Sequence, residues 1–376
     1  MTQRERFEKA VEGRHPDSIP VVLPYFHLYL DQVIGGLTDG GLTWAHRMYG
    51  SAEEKASIFR FARDYFGLDW IAVGGVGTAI NNRRMKLSTI DDALVVRDTV
   101  TGETTPVTPV KPAEPPIAER LVHSPDDKEL AKLPPVMTPE EIDSTGALEP
   151  ARLLSSEYGD TIEIVSGVSM PGNQNYFYLG IYDMMTALKL EPDLVHALVD
   201  HSVKMIVGLL TAMSRAGVRC VWLEDNFVAG DLISREDYET FFFRANAGII
   251  ETVRDLGMYS IYYLTGDVLS RIPHILDMQP DCLAFEESKK TFIIDPVEVR
   301  KRVGGELCLF GNVDVYADIE LGDEREWRRS IGHQLDAAMP EGNFVLSAGS
   351  PVTPDTPPAK LRRFIDFARK MGNRQA

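Results

Sequence analysis

The chain has 376 residues, of which 44% are hydrophobic and 25% are charged, a composition typical of a soluble globular protein with a large core. Its formal net charge of −17 argues against nucleic acid or an anionic membrane surface as a partner, because both require a basic protein surface. The three cysteines, Cys220, Cys282 and Cys308, lie inside apolar runs and lack metal-site spacing, so we expect reduced core cysteines. With no signal-peptide core and no apolar run near the ~20 residues that cross a bilayer, we expect a cytoplasmic protein without a membrane partner.

The first third of the chain predicts two strands. After a short amphipathic helix, Ile19–Leu23 is the first predicted strand, and it ends at Tyr25 and His27. A helical stretch then leads to a second strand, Trp70–Val73. The glycine-rich loop at residues 74–77 (GGVG) closes this strand, and its spacing is not that of a dinucleotide-binding fingerprint.

Residues 80–135 interrupt the alternation of strands and helices. Within them, Met85–Val110 is rich in Thr and Val and alternates as a β-hairpin does, with a turn at Thr101–Glu103. A proline-rich linker follows (KPAEPPIAERL). We therefore predict a β-hairpin insertion after strand two, within a single domain that covers residues 1–376.

The middle of the chain resumes the pattern. Ile162–Ser166 is predicted as the third strand, and Gly167–Asn175 as a loop that contains glycine and amide residues. Tyr182–Ala216 is helical in pattern, with a predicted break near Glu191. Ser234 is a predicted helix start, since a serine cap is followed by acidic residues in the first turn.

Five short apolar runs in the C-terminal half each end in acids, amides or glycines. Buried parallel strands have this pattern, and a (β/α)-barrel places its active site at their carboxyl ends. With the first three strands this makes about eight, each followed by a helix, so we predict a (β/α)₈ TIM barrel and an enzyme. The runs are Val218–Asn226, Tyr259–Asp267, Cys282–Ser288, Leu307–Asp314 and Phe344–Pro351.

Two pairs of adjacent acids are the first catalytic candidates. Glu224 and Asp225 end the fourth strand, and only one of two neighbours on a strand can point into a pocket. Glu286 and Glu287 end the sixth strand and precede Lys289, so we expect one acid in the pocket and one paired to a lysine. Crowded carboxylates raise one another's pKa, which suits a proton donor. The alternative for each acid is a helix cap or a salt bridge.

Other polar residues also follow predicted strands. His27 is the only histidine at such a position and is a catalytic candidate, although a lone histidine is more often structural. Ser350 lacks a base partner and a nucleophile elbow, which argues against a serine nucleophile. The candidates for substrate binding are Tyr25, Asn175, Asp267, Glu286, Asn312 and Ser350.

Four segments together resemble the uroporphyrinogen decarboxylase superfamily: RERFEKAVEGRHPDSIPV near the start, GDLISREDYETFF in the middle, LFGNVD later and GSPVTPDTPP near the end. The superfamily includes the decarboxylase and methyltransferases that move methyl groups to or from corrinoid proteins and thiols. The resemblance covers nearly the whole chain. It implies a (β/α)₈ barrel with a deep pocket at the carboxyl ends of the strands.

The chain departs from both branches of that superfamily. The zinc methyltransferases carry His-x-Cys-Gly after the fifth strand and Gly-Cys after the eighth, where this chain has Tyr263, Thr265 and Ser350. These hydroxyls cannot form a soft zinc site, so no sulfur-ligated zinc is expected, and we assign no metal ligand. Tyr263, in a ligand position, is expected to face the pocket and to donate to a substrate oxygen. The arginines with which the decarboxylase pairs porphyrinogen carboxylates are also missing.

The resemblance and the acids lead to three hypotheses. The first is a methyltransferase that moves a methyl group between a small methylated compound, for example a methoxylated one, and cobalamin on a separate corrinoid protein. The second is a decarboxylase or lyase for a small organic acid, and the third is a non-catalytic protein that binds a ligand or a corrinoid partner. Assembly into a homo-oligomer is compatible with the sequence.

Overall fold

The computed structural model describes residues 1–74, 84–91, 93–108, 119–289, 293–338 and 342–373. Eight strands within these ranges form one parallel sheet, and helices follow them along the chain. The strands of this sheet are β1 (Val21–Val22), β2 (Trp70–Val73), β6 (Glu163–Ser169), β7 (Cys220–Glu224), β8 (Tyr259–Leu264), β9 (Cys282–Phe285), β10 (Cys308–Phe310) and β11 (Phe344–Ser347).

The eight strands pair in the order β1-β11-β10-β9-β8-β7-β6-β2, and each strand is parallel to the neighbours with which it pairs. Helices on the outer side and side chains on the inner side bury the strands on both faces, as parallel sheets require. The structure is therefore an α/β barrel of the TIM type, as predicted. Its carboxyl ends bring together residues that are distant in the sequence.

The cysteines are core residues, as predicted. Cys220, Cys282 and Cys308 lie on β7, β9 and β10, and each is buried with a free thiol. Burial raises the pKa of the Cys220 and Cys282 thiols well above their usual range, so these thiols stay protonated and unreactive.

Several predicted helix boundaries are confirmed. The break near Glu191 separates two helices, and Pro192 begins the second. The Ser234 side chain accepts a hydrogen bond from the backbone N–H of Asp237, as a helix cap does. The helices are Gln3–Val11, Phe26–Leu37, Trp44–Tyr49, Ala52–Phe66, Asp127–Leu130, Pro139–Ser144, Glu149–Tyr158, Pro171–Leu179, Ile181–Leu190, Pro192–Arg215, Arg235–Asp237, Phe243–Asp255, Ile272–Met278, Pro296–Val303, Glu324–Ala338 and Pro358–Gly372, with π-helical turns at Tyr238–Phe242 and Val315–Leu321.

The prediction of a loop at Gly167–Asn175 is wrong. β6 continues to Ser169 because Gly167, Val168 and Ser169 pair with β7, and a helix begins at Pro171. Proline is favoured in the first turn of a helix, where its missing N–H is not needed. Asn175 is therefore a helical residue.

A small antiparallel sheet lies between β2 and the helix Asp127–Leu130 in the chain. It consists of β3 (Met85–Ile90), β4 (Ala93–Asp98) and β5 (Thr104–Pro106), in that order. The loop predicted at residues 75–77, the end of the predicted hairpin at 109–110 and most of the proline-rich linker lie outside the described residues.

The helix Pro192–Arg215 is long and apolar enough to span a membrane by length and composition, which differs from the expectation that no apolar run nears this length. In the structure it packs against the helices Pro171–Leu179, Pro139–Ser144 and Phe243–Asp255. Its buried residues include Leu198, Ile206 and Leu210. Burial of one face in the outer layer of the barrel accounts for much of its apolar composition.

Candidate active site

A cavity of about 390 Å³ opens at the carboxyl ends of β1, β2, β6 and β7. Tyr25, His27 and Glu224 from the predicted site line this cavity. Most of the remaining wall is apolar or aromatic. Among the described residues that line the cavity, Glu224 has the only carboxylate, and none is a lysine or an arginine.

Neutral hydrogen-bond donors hold the Glu224 carboxylate. Its Oε1 accepts from the Tyr25 hydroxyl at 2.9 Å and from the Asn226 amide at 2.6 Å. Its Oε2 accepts from the Ser169 hydroxyl at 3.3 Å. No salt bridge to Glu224 is found in the part of the chain that the structure describes, so none of the described cations neutralises its charge.

Tyr25 is held in a strained backbone conformation. It precedes the first residue of the helix Phe26–Leu37 and has φ 52° and ψ 25°, in the left-handed region that side chains other than glycine rarely adopt. Its hydroxyl accepts a hydrogen bond from Trp222 Nε1 at 3.0 Å and donates to Glu224. Burial, and then the nearby Glu224 carboxylate, raise the pKa of Tyr25 well above its usual range, so the phenol stays a proton donor.

His27 is neutral in this site. Burial, and then the charge of Arg47, lower the pKa of His27 to about 3. Its ring packs on the end of β2, where a Cβ added to Gly74 would lie 2.8 Å from His27 Nδ1. The glycine is therefore needed for this close approach, and the imidazole can accept or donate a hydrogen bond as an uncharged group.

Asp225 points away from the cavity, as the alternation of side chains along a strand requires. Its Oδ2 accepts hydrogen bonds from Tyr262 Oη and Asn246 Nδ2, both at 2.7 Å, while Oδ1 has no partner. Burial raises the pKa of Asp225 to about 7, although the two donors act in the opposite direction. It belongs to a buried polar network outside the cavity.

Tyr263 packs against two of the aromatic residues that line the cavity. Its ring packs on Tyr25 and Trp222, with centroid distances of 5.7 Å and 4.9 Å. Its hydroxyl donates to the carbonyl oxygen of Gly349 at 2.9 Å and is buried. Tyr263 was expected to face the pocket and to donate to a substrate oxygen. It is not among the described residues that line the cavity, and its hydroxyl already donates within the protein.

We call Glu286, Glu287, Lys289 and Ser350 the Glu287 cluster. Lys289 Nζ lies 2.9 Å from Glu287 Oε1 and 3.8 Å from Glu286 Oε2. The Ser350 hydroxyl donates to Glu287 Oε2 at 2.8 Å and accepts from Lys289 at 2.6 Å. None of these residues is among those that line the cavity. The cavity therefore contains Glu224 but not Glu287, although the two acids were expected in one pocket.

The remaining candidates are placed by local structure and do not line the cavity. The Asn312 amide donates to the carbonyl oxygens of Glu286 and Ile294, which ties two loops together. Asp267 accepts from the backbone N–H of Ser270 at 3.3 Å in its own loop. Asn175 is fully buried on its helix, and neither of its side-chain polar atoms has a hydrogen-bond partner.

The residues in the expected ligand positions do not fit a zinc ion with sulfur ligands. Tyr263 and Ser350 are hydrogen-bonded as described above, and Thr265 Oγ1 donates to the carbonyl oxygen of Asn226 at 2.9 Å. All three offer hard oxygen atoms instead of thiolate or imidazole. Across the described ranges, no group of three or more His, Cys, Asp or Glu residues is arranged to hold a metal ion.

Sequence reasoning missed the aromatic and neutral polar residues of the cavity. Trp222 lies two positions before Glu224 on the same strand, so both face the same side, and this period of two was a usable signal. Trp70 was predicted only as the first residue of a strand and not as a site residue. Ser169 and Gln174 also contribute, but the wrong boundary of β6 hid them.

Comparisons with known proteins identify relatives of this chain. The family model for uroporphyrinogen decarboxylase (URO-D) matches residues 104–371. A methylated-thiol–coenzyme M methyltransferase from Methanosarcina mazei is 21% identical over 260 residues, which is 68% of this chain and 65% of that protein. A uroporphyrinogen decarboxylase from Prochlorococcus marinus is 25% identical over 183 residues, or 48% and 50% of the two chains. The chain thus matches between half and two thirds of the length of these relatives.

The solved structure of a methyltransferase from Methanosarcina mazei has the same fold. It superposes with a TM-score of 0.70 at 15% sequence identity, and the match covers 99% of both chains. At that identity the likeness concerns the fold alone, while the family model covers well over half of the sequence. The chain belongs to the uroporphyrinogen decarboxylase (URO-D) family.

Proposed function

We propose that this protein is a methyltransferase that moves a methyl group between a small methylated compound and a corrinoid carried by a separate protein. Family membership and the similarity to a methylated-thiol methyltransferase support this class of reaction. The observation that carries the proposal is the cavity itself. It combines one carboxylate, Glu224, with mostly apolar and aromatic walls.

The described cavity residues suit a small substrate that carries no negative charge. A porphyrinogen carries many carboxylates, which proteins bind with arginines in bidentate pairs. No described residue of the lining is cationic, and His27 is neutral. The same feature disfavours a small organic acid, whose carboxylate would face Glu224.

The residues of this chain would bind and orient the methylated group. The corrinoid would supply the nucleophile that takes the methyl group, and no described residue of the cavity lining offers a comparable one. Where the methyl group leaves an oxygen, that oxygen gains an electron pair and requires a proton. Tyr25 and Glu224 are hydrogen-bonded to each other beside the cavity, so this pair can deliver that proton. Trp70 and Trp222 keep water away from the group that they contact.

The test is to mix the purified protein with cob(I)alamin, free or on a carrier protein, and a panel of methylated compounds. Methyl transfer changes the absorption spectrum of the corrin, and we expect this change to depend on the protein. Glu236→Gln, which removes an exposed acid at the start of an outer helix, serves as a matched control for Glu224→Gln. Release of carbon dioxide from an organic acid, with no corrin change for any donor, would support the decarboxylase hypothesis. Ligand binding without either reaction would support a non-catalytic role.

A further inference from the structure

We infer that the methyl donor is a cation, a tertiary or quaternary methylated ammonium compound, which the cavity recognises through aromatic faces and one carboxylate. This inference rests on the proposed function for the reaction, and it adds the substrate class. It follows from the arrangement of three rings and the charges around them.

The rings of Tyr25, Trp70 and Trp222 form adjoining walls of the cavity. Trp222 packs against Trp70 with the centroids 6.0 Å apart and the planes at 81°, and against Tyr25 at 5.8 Å and 82°. Neighbouring walls are thus almost perpendicular, as in a box. The faces of aromatic rings are electron-rich, and boxes of this kind bind methylated ammonium groups in other proteins.

Hydrogen bonds fix this box around the acid. The indole N–H of Trp222 donates to the Tyr25 hydroxyl, which donates to Glu224. Both indole rings are at least 94% buried, so the ring positions are set before any ligand arrives. A pre-organised site loses less free energy in ordering when it binds.

The charges around the cavity favour a cation. Glu224 lacks a salt-bridge partner among the described residues, and the described lining contains no lysine or arginine. The low pKa of His27, about 3, keeps this base uncharged at neutral pH. Arg47, whose charge also lowers the pKa of His27, is paired with Asp31 at 2.5 Å. A methylated ammonium group would therefore meet attraction from Glu224 without repulsion from a fixed cation in the described lining.

An ammonium donor also simplifies the reaction. The carbon–nitrogen bond breaks, the methyl group passes to the corrinoid nucleophile, and the electron pair remains on nitrogen. The product is a neutral amine, so no proton is required. Glu224 would then act by electrostatic attraction to the ammonium group in the ground state.

Calorimetric binding tests the inference without any corrinoid. Choline and tetramethylammonium are the cationic probes, 3,3-dimethylbutan-1-ol is the uncharged analogue of choline, and 2-methoxyphenol is the neutral methoxy probe. We expect choline to bind at least about tenfold more tightly than its uncharged analogue. Glu224→Gln and Trp222→Leu should reduce this preference towards one, and Glu236→Gln should leave it unchanged. Trp222→Phe replaces Trp222→Leu if the latter does not fold.

The outcomes separate this inference from the proposed function. Equal or tighter binding of 3,3-dimethylbutan-1-ol, or binding of 2-methoxyphenol with none of either cation, overturns the cationic substrate. Methyl transfer from the methoxy compound in that case leaves the proposed function intact. Selective binding of the cations without corrin methylation supports the recognition site and overturns the methyltransferase proposal.

Discussion

On one side of the barrel mouth, Glu224 accepts hydrogen bonds from neutral groups beside a cavity of about 390 Å³. On the other side, Glu287 is bound to Lys289 and Ser350 in the Glu287 cluster. Both acids end parallel strands and looked equivalent in the sequence. The difference lies in their partners: a carboxylate that already holds a cation is committed to structure, whereas one held by neutral donors keeps its charge for a ligand. Four predictions test this comparison.

Glu224→Gln should have the largest effect. The amide keeps the size of the side chain but removes its charge and its capacity to transfer a proton. With a methoxylated donor, whose leaving oxygen requires a proton, turnover should fall by about 10²–10⁴-fold. With a methylated ammonium donor, which requires no proton, the lost attraction should weaken substrate binding and raise KM instead. Initial rates of corrin methylation measure this, with the melting temperature as a check on folding. A near-normal rate on a verified substrate would remove Glu224 from the reaction.

Gly349→Ala and Gly74→Ala compare how tightly the protein is packed beside Glu287 and beside the cavity. A Cβ at position 349 would lie 2.3 Å from the backbone nitrogen of Glu287, whereas a Cβ at position 74 meets the His27 ring, which borders the cavity. Since backbone cannot move as a side chain can, we expect Gly349→Ala to cost about 3 kcal/mol of unfolding free energy and Gly74→Ala about 1 kcal/mol. Denaturant unfolding of both variants gives the values. The reverse order would contradict the difference in packing.

Asp225→Asn probes the outer face of β7. The folded-state pKa of about 7 lies above the ordinary value of 3.8, so the folded protein binds more protons between these pH values. The unfolding free energy from this group should fall as the pH rises from about 4 to about 7 and then stay level. The Asp225→Asn variant lacks this pH-dependent loss. The unfolding free energy of the variant minus that of the unmodified protein should therefore rise by about 2 kcal/mol from pH 5 to pH 8.

Denaturant unfolding curves measured across this pH range test whether the stability changes in the predicted direction. Glu163, whose pKa burial raises to about 7, acts in the same window and keeps part of the pH dependence in the Asp225→Asn variant. Glu163→Gln therefore serves as the comparison. Parallel stability curves for Asp225→Asn and the unmodified protein would show that Asp225 titrates normally.

Glu287→Gln should have the smallest effect. It removes the charge that pairs with Lys289, but Lys289 is 43% exposed and can turn to water, so we expect a loss of about 1 kcal/mol. Turnover should change by less than about threefold, in contrast with Glu224→Gln. A loss of rate comparable with that of Glu224→Gln, at unchanged stability, would place Glu287 in the reaction.

Local patterns predicted most of the barrel. Trp70–Val73 was placed with its observed boundaries, because a buried parallel strand is apolar throughout and a turn signal ends it. The alternation of side chains also explains why Glu224 and Asp225 separate to opposite faces. The prediction of where β6 ends was wrong because Gly167 suggested a turn. In the structure Gly167 pairs with Trp222 on β7 and so remains in the sheet.

The site depended on contacts that no local pattern contains. Tyr25 reaches Glu224 across 199 positions of sequence, and its left-handed backbone is not expected from its residue type. Likewise, nothing in the order of residues distinguished Glu287, bound to Lys289 and Ser350, from Glu224. Only the assembled barrel determines which strand ends are neighbours.

The backbone of Tyr25 has a consequence for enzyme engineering. A glycine at position 25 would adopt φ 52° without strain and would vacate the space of the phenol ring. The same replacement would leave Trp222 Nε1 without its acceptor and Glu224 without one of its donors. Position 25 is therefore where this barrel could be widened for bulkier donors without backbone strain, provided that a second change restores a hydrogen-bonding partner for Trp222.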